Sequence, residues 1–189
     1  MKKLLLASGS PRRKELLDQV GFSFTVKKSN VDETRVKEQD PRKLVEYLAE
    51  LKGNAITLGK EEVVLSADTV VSYNGKVLTK PNDQAEAMEM LRQLNGTSHM
   101  VYTGVMIKSL KKSVVFSTVT SVQFWEHSEA DLLAYIQSGE PFDKAGGYGI
   151  QGKGAVLVKE IKGDYYNVMG LPISTVVREL KEFGVDQQI

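Results

Sequence analysis

Apolar runs and helical periodicities alternate along the whole chain. Leu4-Leu5-Leu6-Ala7 predicts a short buried strand, and Pro11–Val20 reads as a helix closed by Gly21. Phe22–Val26 alternates and predicts a strand, whereas Asn30–Gln39 is polar and predicts a loop. After Asp40-Pro41, a capped helix start, Leu44, Leu48, Leu51, Ala55 and Leu58 recur at helical spacing until Gly59. Val63-Val64-Leu65 predicts a buried strand, continued by Val70–Tyr73 and turned back at Asn74-Gly75 into Val77–Thr79. Asn82 is expected to cap a helix through Leu94. Thr97–Leu110 and Ser113–Trp125 predict a long hairpin about Lys111-Lys112. Ser128 suits a cap for a helix through Gln137, stopped by Gly139. Ala155–Ile161 and Tyr165–Val168 predict strands about Gly163-Asp164, and Leu171-Pro172 opens a last helix ending near Phe183-Gly184. Irregular alternation with hairpins in the middle predicts an α/β fold on a mixed sheet, without repeats or a linker.

Composition adds bounds. A length of 189 residues suits one large domain or two small lobes, and 41% hydrophobic content is enough for a core. A net charge of +1 gives no global field toward nucleic acid or an anionic membrane, so any anion selectivity must be local. The absence of cysteine excludes disulfides, thiol catalysis and cysteine-based zinc, and suits a reducing compartment. The first apolar stretch falls short of the ~7–15 residues of a secretory core. No stretch approaches the ~18 apolar residues of a membrane span. The expectation is a soluble, cytoplasmic protein.

The turn Ser8-Gly9-Ser10-Pro11-Arg12-Arg13 links the first strand to the first helix. Ser10 is placed to cap that helix, and the N–H groups of its first turn carry partial positive charge. Arginines are unfavourable there unless an anion arrives, and their guanidinium groups suit phosphate. On these residues alone, a capped surface helix with solvated arginines stays open. Gly147-Tyr148-Gly149-Ile150-Gln151-Gly152 matches a dinucleotide fingerprint and, with Lys153, nearly a P-loop, but a strand is expected to follow where both need a helix. A substrate loop or plain turn glycines are the remaining readings. His99 and His127 lie in unlike contexts without metal-ligand spacing. Asp68 is expected at the carboxyl end of its strand, Glu33 in the polar loop, Lys52 on the long helix and Lys80 at a strand terminus. Carboxylates for a hard cation and cations for phosphate oxygens are what phosphoryl chemistry requires.

Taken in order, Ser8–Arg13, Val31-Asp32-Glu33-Thr34, Ala67-Asp68-Thr69, Lys80-Pro81, Gly139–Gly146, Gly149–Gly152 and Asn167–Pro172 resemble the Maf family of nucleotide pyrophosphatases over essentially the whole chain. The resemblance implies a single α/β domain over residues 1–189 with two lobes: a mixed twisted sheet, flanking helices and a deep cleft, similar to inosine triphosphate pyrophosphatases. It implies cleavage of a nucleoside triphosphate into a monophosphate and pyrophosphate with a divalent cation, Mg²⁺ or Mn²⁺. Carried over, Asp68 is the general base, Glu33 a metal-associated carboxylate (with Asp68 as its partner ligand), Lys52 and Lys80 catalytic lysines. Ser8, Ser10, Arg12, Arg13, Thr69 and Gln151 bind substrate. Arg12, Thr69 and Gln151 match the branch that prefers dTTP and UTP, and the Gln151 amide can pair with a uracil-type edge. Bacterial members associated with filamentation suggest a link to septum formation. A nucleotide- or nucleic-acid-binding regulator of division without turnover is the alternative; a homodimer is compatible with either reading.

Overall fold

Short apolar runs become the centre of a sheet because burial on both faces leaves no polar position to tolerate. The computed structural model describes residues 2–33 and 36–188. Its strands are β1 (Lys3–Leu6), β2 (Phe24–Val26), β3 (Glu62–Tyr73), β4 (Lys76–Leu78), β5 (Ser98–Lys108), β6 (Ser113–Phe124) and β7 (Val158–Lys162). They form one seven-stranded sheet in the order β2-β1-β3-β5-β6-β7, with β4 pairing β3 off this path. β1 runs parallel to β2 and β3, while β4 is antiparallel to β3 and β7 to β6. The expected mixed α/β sheet is therefore present.

The chain divides into two compact units. One comprises the residues up to Asp68, Thr103–Thr118 and Gly170 onward; the other comprises Thr69–Tyr102 and Val119–Met169.

In the first unit, Leu4, Leu5 and Leu6 of β1 are buried and register with Val63, Val64 and Leu65 of β3. Helix α1 (Pro11–Gln19) buries Leu16 and Leu17. Helix α2 (Pro41–Asn54) starts on Asp40, whose carboxylate accepts from the Arg42 and Lys43 N–H groups as expected. It stops at Asn54 and not at Gly59. Leu58 keeps the apolar spacing because, with Ile56, it still packs outside the helix against the cluster of Leu5, Ala7 and Val64. The polar loop is borne out over residues 30–33 and 36–39; Thr34, part of the Val31–Thr34 motif, lies outside the described residues. The last helix, which buries Ile173, Val176 and Leu180, also belongs to this unit.

In the second unit, Asn74-Gly75 turns β3 into β4 with φ of 49° and 76°. Helix α3 (Gln84–Leu94) is capped by Asp83, which accepts from the Glu86 N–H, and not by Asn82, which instead donates to the Glu86 carboxylate. Helix α4 (Glu129–Gln137) has the expected Ser128 cap, completed by Asp131. Residues 155–157 lie in a 3-10 turn before β7. Tyr165–Met169 is a short helix, α5, where a strand was expected: the Asp164 carboxylate accepts from the Tyr166 N–H and so starts a turn. Helix α6 (Ile173–Glu182) completes the chain in the first unit, opening at Pro172 as predicted. Leu91, Leu94, Val122, Phe124, Leu132, Ile136 and Leu157 form the core of the second unit.

Candidate active site

β3 is buried from Val63 to Ala67 and from Val70 to Ser72, and the run is broken only by half-buried Asp68 and Thr69. Asp68 therefore lies in mid-strand, not at a strand end as the sequence suggested, because extended pairing continues through it. A carboxylate inside such a strand is costly unless paired. Its partner comes from the last turn of α2, where a cation is also favoured by the helix dipole. Lys52 Nζ donates to Asp68 Oδ1 at 2.5 Å and lies 3.1 Å from Glu33 Oε1.

Close packing delivers Lys52 to that position. The Ser66 hydroxyl donates to the Ala49 carbonyl at 2.6 Å, tying α2 to β3. A Cβ on Gly53 would sit 2.6 Å from Ser66 Oγ and 2.7 Å from Met106 Sδ, and one on Gly104 would meet the Val45 backbone at 2.3 Å. The helix thus approaches the sheet as closely as backbone allows. Sequence reasoning missed these positioning residues; the signal was a glycine inside a helix, which costs about 1 kcal/mol relative to Ala.

Beside this triad stands the Ser8–Arg13 turn. Arg13 is buried, and its Nε donates to the Gly170 carbonyl at 2.7 Å and its Nη1 to Ser8 Oγ at 3.1 Å. Ser8 Oγ also accepts from the Ser10 N–H at 3.2 Å, and the Ser8 hydroxyl keeps its own proton to donate. Burial pulls the Arg13 guanidinium below its ordinary range; the Asp68 carboxylate opposes this, neighbouring Arg12 adds to it, and Glu33 opposes it. Arg13 therefore senses the charges of Asp68, Arg12 and Glu33. Ser10 occupies the N-cap position of α1, but its side chain makes no capping hydrogen bond, against expectation. The stem of Lys28, a residue the sequence reading did not single out, lies over the turn, its Cε 3.4 Å from where a Gly9 Cβ would be.

Thr69, Lys80 and Gln151 stand in the second unit. Lys80 is exposed just after β4, next to Thr79, whose carbonyl accepts from the Gly146 N–H at 3.0 Å. That bond places Lys80 beside the glycine-rich segment. Gln151 is half-buried within that segment, and the strand β7 follows it, which disposes of the dinucleotide and P-loop readings. His99 is buried against Tyr148 and Phe124, with Nε2 2.7 Å from the Tyr148 hydroxyl. Burial pushes the His99 imidazole down to about 4 and raises the Tyr148 phenol, so both are neutral. Among the described residues no group of three or more His, Cys, Asp or Glu is arranged around a metal. No helix there is long and apolar enough to cross a membrane.

Fold and site together define an α/β protein with two carboxylates on one lysine beside a cationic turn suited to phosphate. The chain belongs to the Maf-like protein family, whose model matches residues 3–183. It is 52% identical over 187 residues to a dTTP/UTP pyrophosphatase of Bacillus cereus strain ATCC 10987, covering 98% of this chain and 92% of the relative. A dTTP/UTP pyrophosphatase of Bacillus anthracis is 51% identical, with 98% of each chain covered. A solved HAM1 protein from Coxiella burnetii overlaps with a TM-score of 0.47 at 15% identity, over 96% of this chain and 100% of that one. That overlap is distant, and the architecture stands on the strand order given above.

Proposed function

We propose that this protein is a pyrophosphatase that hydrolyses dTTP and UTP between the α and β phosphates, releasing pyrophosphate. The observation that carries the reading is the mid-strand Asp68, paired with Lys52 beside the buried Arg13, in a chain half identical to proteins of that name throughout its length. Asp68 is assigned as the base that takes the proton from the attacking water. Arg13, Arg12, Ser8, Ser10 and the first-turn N–H groups of α1 are assigned to the phosphates, with Lys52 and Lys80 offsetting charge that develops on their oxygens. Arg12, Thr69 and Gln151 are assigned to recognition of the pyrimidine.

Two carboxylate oxygens already converge on one cation, which is the donor set with which Mg²⁺ is held when phosphate oxygens and waters complete its shell. Asp68 and Glu33 would hold that Mg²⁺ or Mn²⁺, and when bound it supplies Lewis acidity at the phosphate and at water. The two compact units are proposed to serve this one reaction as lobes of a single domain. Cytoplasmic residence is part of the proposal, supported by the cysteine-free sequence. Any effect on septum formation is proposed to follow from nucleotide pools, since a net charge of +1 does not favour nucleic acid.

The deciding experiment measures pyrophosphate and orthophosphate separately over a panel of canonical and modified triphosphates with Mg²⁺ or Mn²⁺. Pyrophosphate from dTTP and UTP is expected. Orthophosphate alone, or no product from any nucleotide, overturns the reading.

A further inference from the structure

The glycine-rich segment that imitates a phosphate loop is already filled by an anion of the chain's own. Glu140 Oε1 accepts from the Lys153 N–H at 2.9 Å, and Oε2 accepts from the Gly154 N–H at 3.3 Å. Successive backbone N–H groups turned onto one anion form a nest. The fit is tight. Gly152 has φ of +65°, and a Cβ there would lie 2.8 Å from Glu140 Oε1; one on Gly154 would lie 2.2 Å from the Gly149 carbonyl oxygen. Gly152 makes room for the internal carboxylate and Gly154 for the close approach of the Gly149 backbone, which explains glycines that phosphate binding leaves unused.

The other end of the loop is held as firmly. The Gly149 N–H donates to the Tyr135 hydroxyl at 3.2 Å, and neighbouring Tyr148 is anchored through its hydroxyl on His99. Lys144 braces the same region: its ammonium donates to the Glu140 carbonyl at 2.7 Å and to the Asp143 carboxylate at 2.5 Å. Between the two clamped ends lies Gln151, half-buried and extended.

We propose that Glu140 is a specificity-positioning residue: its carboxylate, seated on the Lys153 and Gly154 N–H groups, holds the Gly149–Gly154 loop in one conformation and so fixes how the Gln151 amide meets a pyrimidine. The inference rests on the reading of Gln151 as a base-recognising residue. An amide offers both an acceptor and donors, so a mobile one pairs with uracil or cytosine alike, whereas one held in place favours the edge that matches it. Glu140 thus acts on selection between UTP and CTP, not on the reacting phosphate.

The test compares UTP with CTP in kcat/KM for wild type, Glu140→Ala, Glu140→Gln and Gln151→Ala, with thermal unfolding of each. Glu140→Ala is expected to lower the UTP-over-CTP preference roughly tenfold. Added formate, which can refill the empty nest, is expected to restore the preference in Glu140→Ala but not in Glu140→Gln, where the amide side chain still occupies it. Hydrogen exchange at the Lys153 and Gly154 amides should quicken in Glu140→Ala and slow again with formate. An unchanged UTP-to-CTP ratio in a folded Glu140→Ala overturns the inference, as does a loss of rate that falls equally on both nucleotides. Should Glu140→Ala not fold, Glu140→Gln carries the same comparison: its amide fills the nest but sets an NH2 against one of the two backbone donors, so the preference is expected to fall, and an unchanged ratio there overturns the inference. If Gln151→Ala alters the ratio and the Glu140 variants do not, this inference alone fails. If Gln151→Ala keeps the wild-type ratio, the reading of Gln151 fails with it.

Discussion

Lys52 Nζ lies 2.5 Å from Asp68 Oδ1 while it also faces Glu33 Oε1 at 3.1 Å, so one ammonium joins a strand carboxylate to a loop carboxylate. The lysine and Asp68 are each only 14% exposed at the side chain, whereas Glu33 is 46% exposed. Water screens the outer pair far more than the inner one, so the Lys52–Asp68 contact dominates.

Asp68→Asn keeps the shape of this contact and removes its negative charge. Pyrophosphate release from dTTP is expected to fall by about 10²–10⁴-fold, the usual worth of a positioned base. Nucleotide binding by calorimetry should persist. Wild-type turnover in this variant would remove Asp68 from the chemistry.

Arg13→Lys tests the buried guanidinium. A lysine offers one ammonium where Arg13 spans the Gly170 carbonyl and the Ser8 hydroxyl in two directions. Loss of one buried hydrogen bond and its geometry should cost about 1–3 kcal/mol in urea unfolding. It should also raise KM for the triphosphate. Stability and KM both at wild-type values would contradict the role given to this contact.

The two glycines of the α2 contact should respond differently to alanine. At Gly104 the new methyl would meet the Val45 backbone, which cannot step aside; a destabilisation of about 1–3 kcal/mol is expected in thermal or urea unfolding. At Gly53 the neighbours are the ends of the Ser66 and Met106 side chains, and alanine gains about 1 kcal/mol of helix preference. Gly53→Ala should therefore stay close to wild type in stability and keep its turnover, because the side-chain ends give way and α2 stays in place with Lys52 on Asp68. Equal effects of the two substitutions on unfolding and on rate would refute this distinction.

His99 carries a pH signature. Its imidazole is held down to about 4 by burial, against an ordinary 6.5. The unfolded chain therefore binds this proton more readily than the folded one. The stability from keeping His99 neutral is complete above about pH 6.5 and is lost as pH falls toward 4, amounting to about 3 kcal/mol at most. His99→Gln, which still gives the Tyr148 hydroxyl a partner, should flatten the unfolding midpoint between those pH values. A wild-type slope in that variant would assign the acid sensitivity to other groups.

Local chemistry carried most of the element readings. Asp40 and Ser128 cap their helices, Asn74-Gly75 turns its hairpin, and the Leu4–Ala7 and Val63–Leu65 runs are central strands, because caps, turns and buried runs are set within a few residues. Where the readings slipped, a neighbour close in sequence competed. Asp83 took the cap from Asn82, the Asp164 carboxylate turned Tyr165–Met169 into a helix, and α2 ended early while its apolar spacing ran on over the same core.

The site divides along the same line. The sequence by itself determined the residue types and their order: arginines at a helix start, acidic Glu33 and Asp68, a lysine on the long helix and another at a strand terminus. Only tertiary structure decided which of them meet. Lys52 reaches Asp68 because Gly53 and Gly104 let α2 lie against the sheet, Arg13 is buried on a carbonyl far along the chain, and Glu140 fills the nest that looks in sequence like a phosphate loop. Side-chain identity states what a group can do. Its partner is set by close approach between segments distant in sequence, and no local pattern records that.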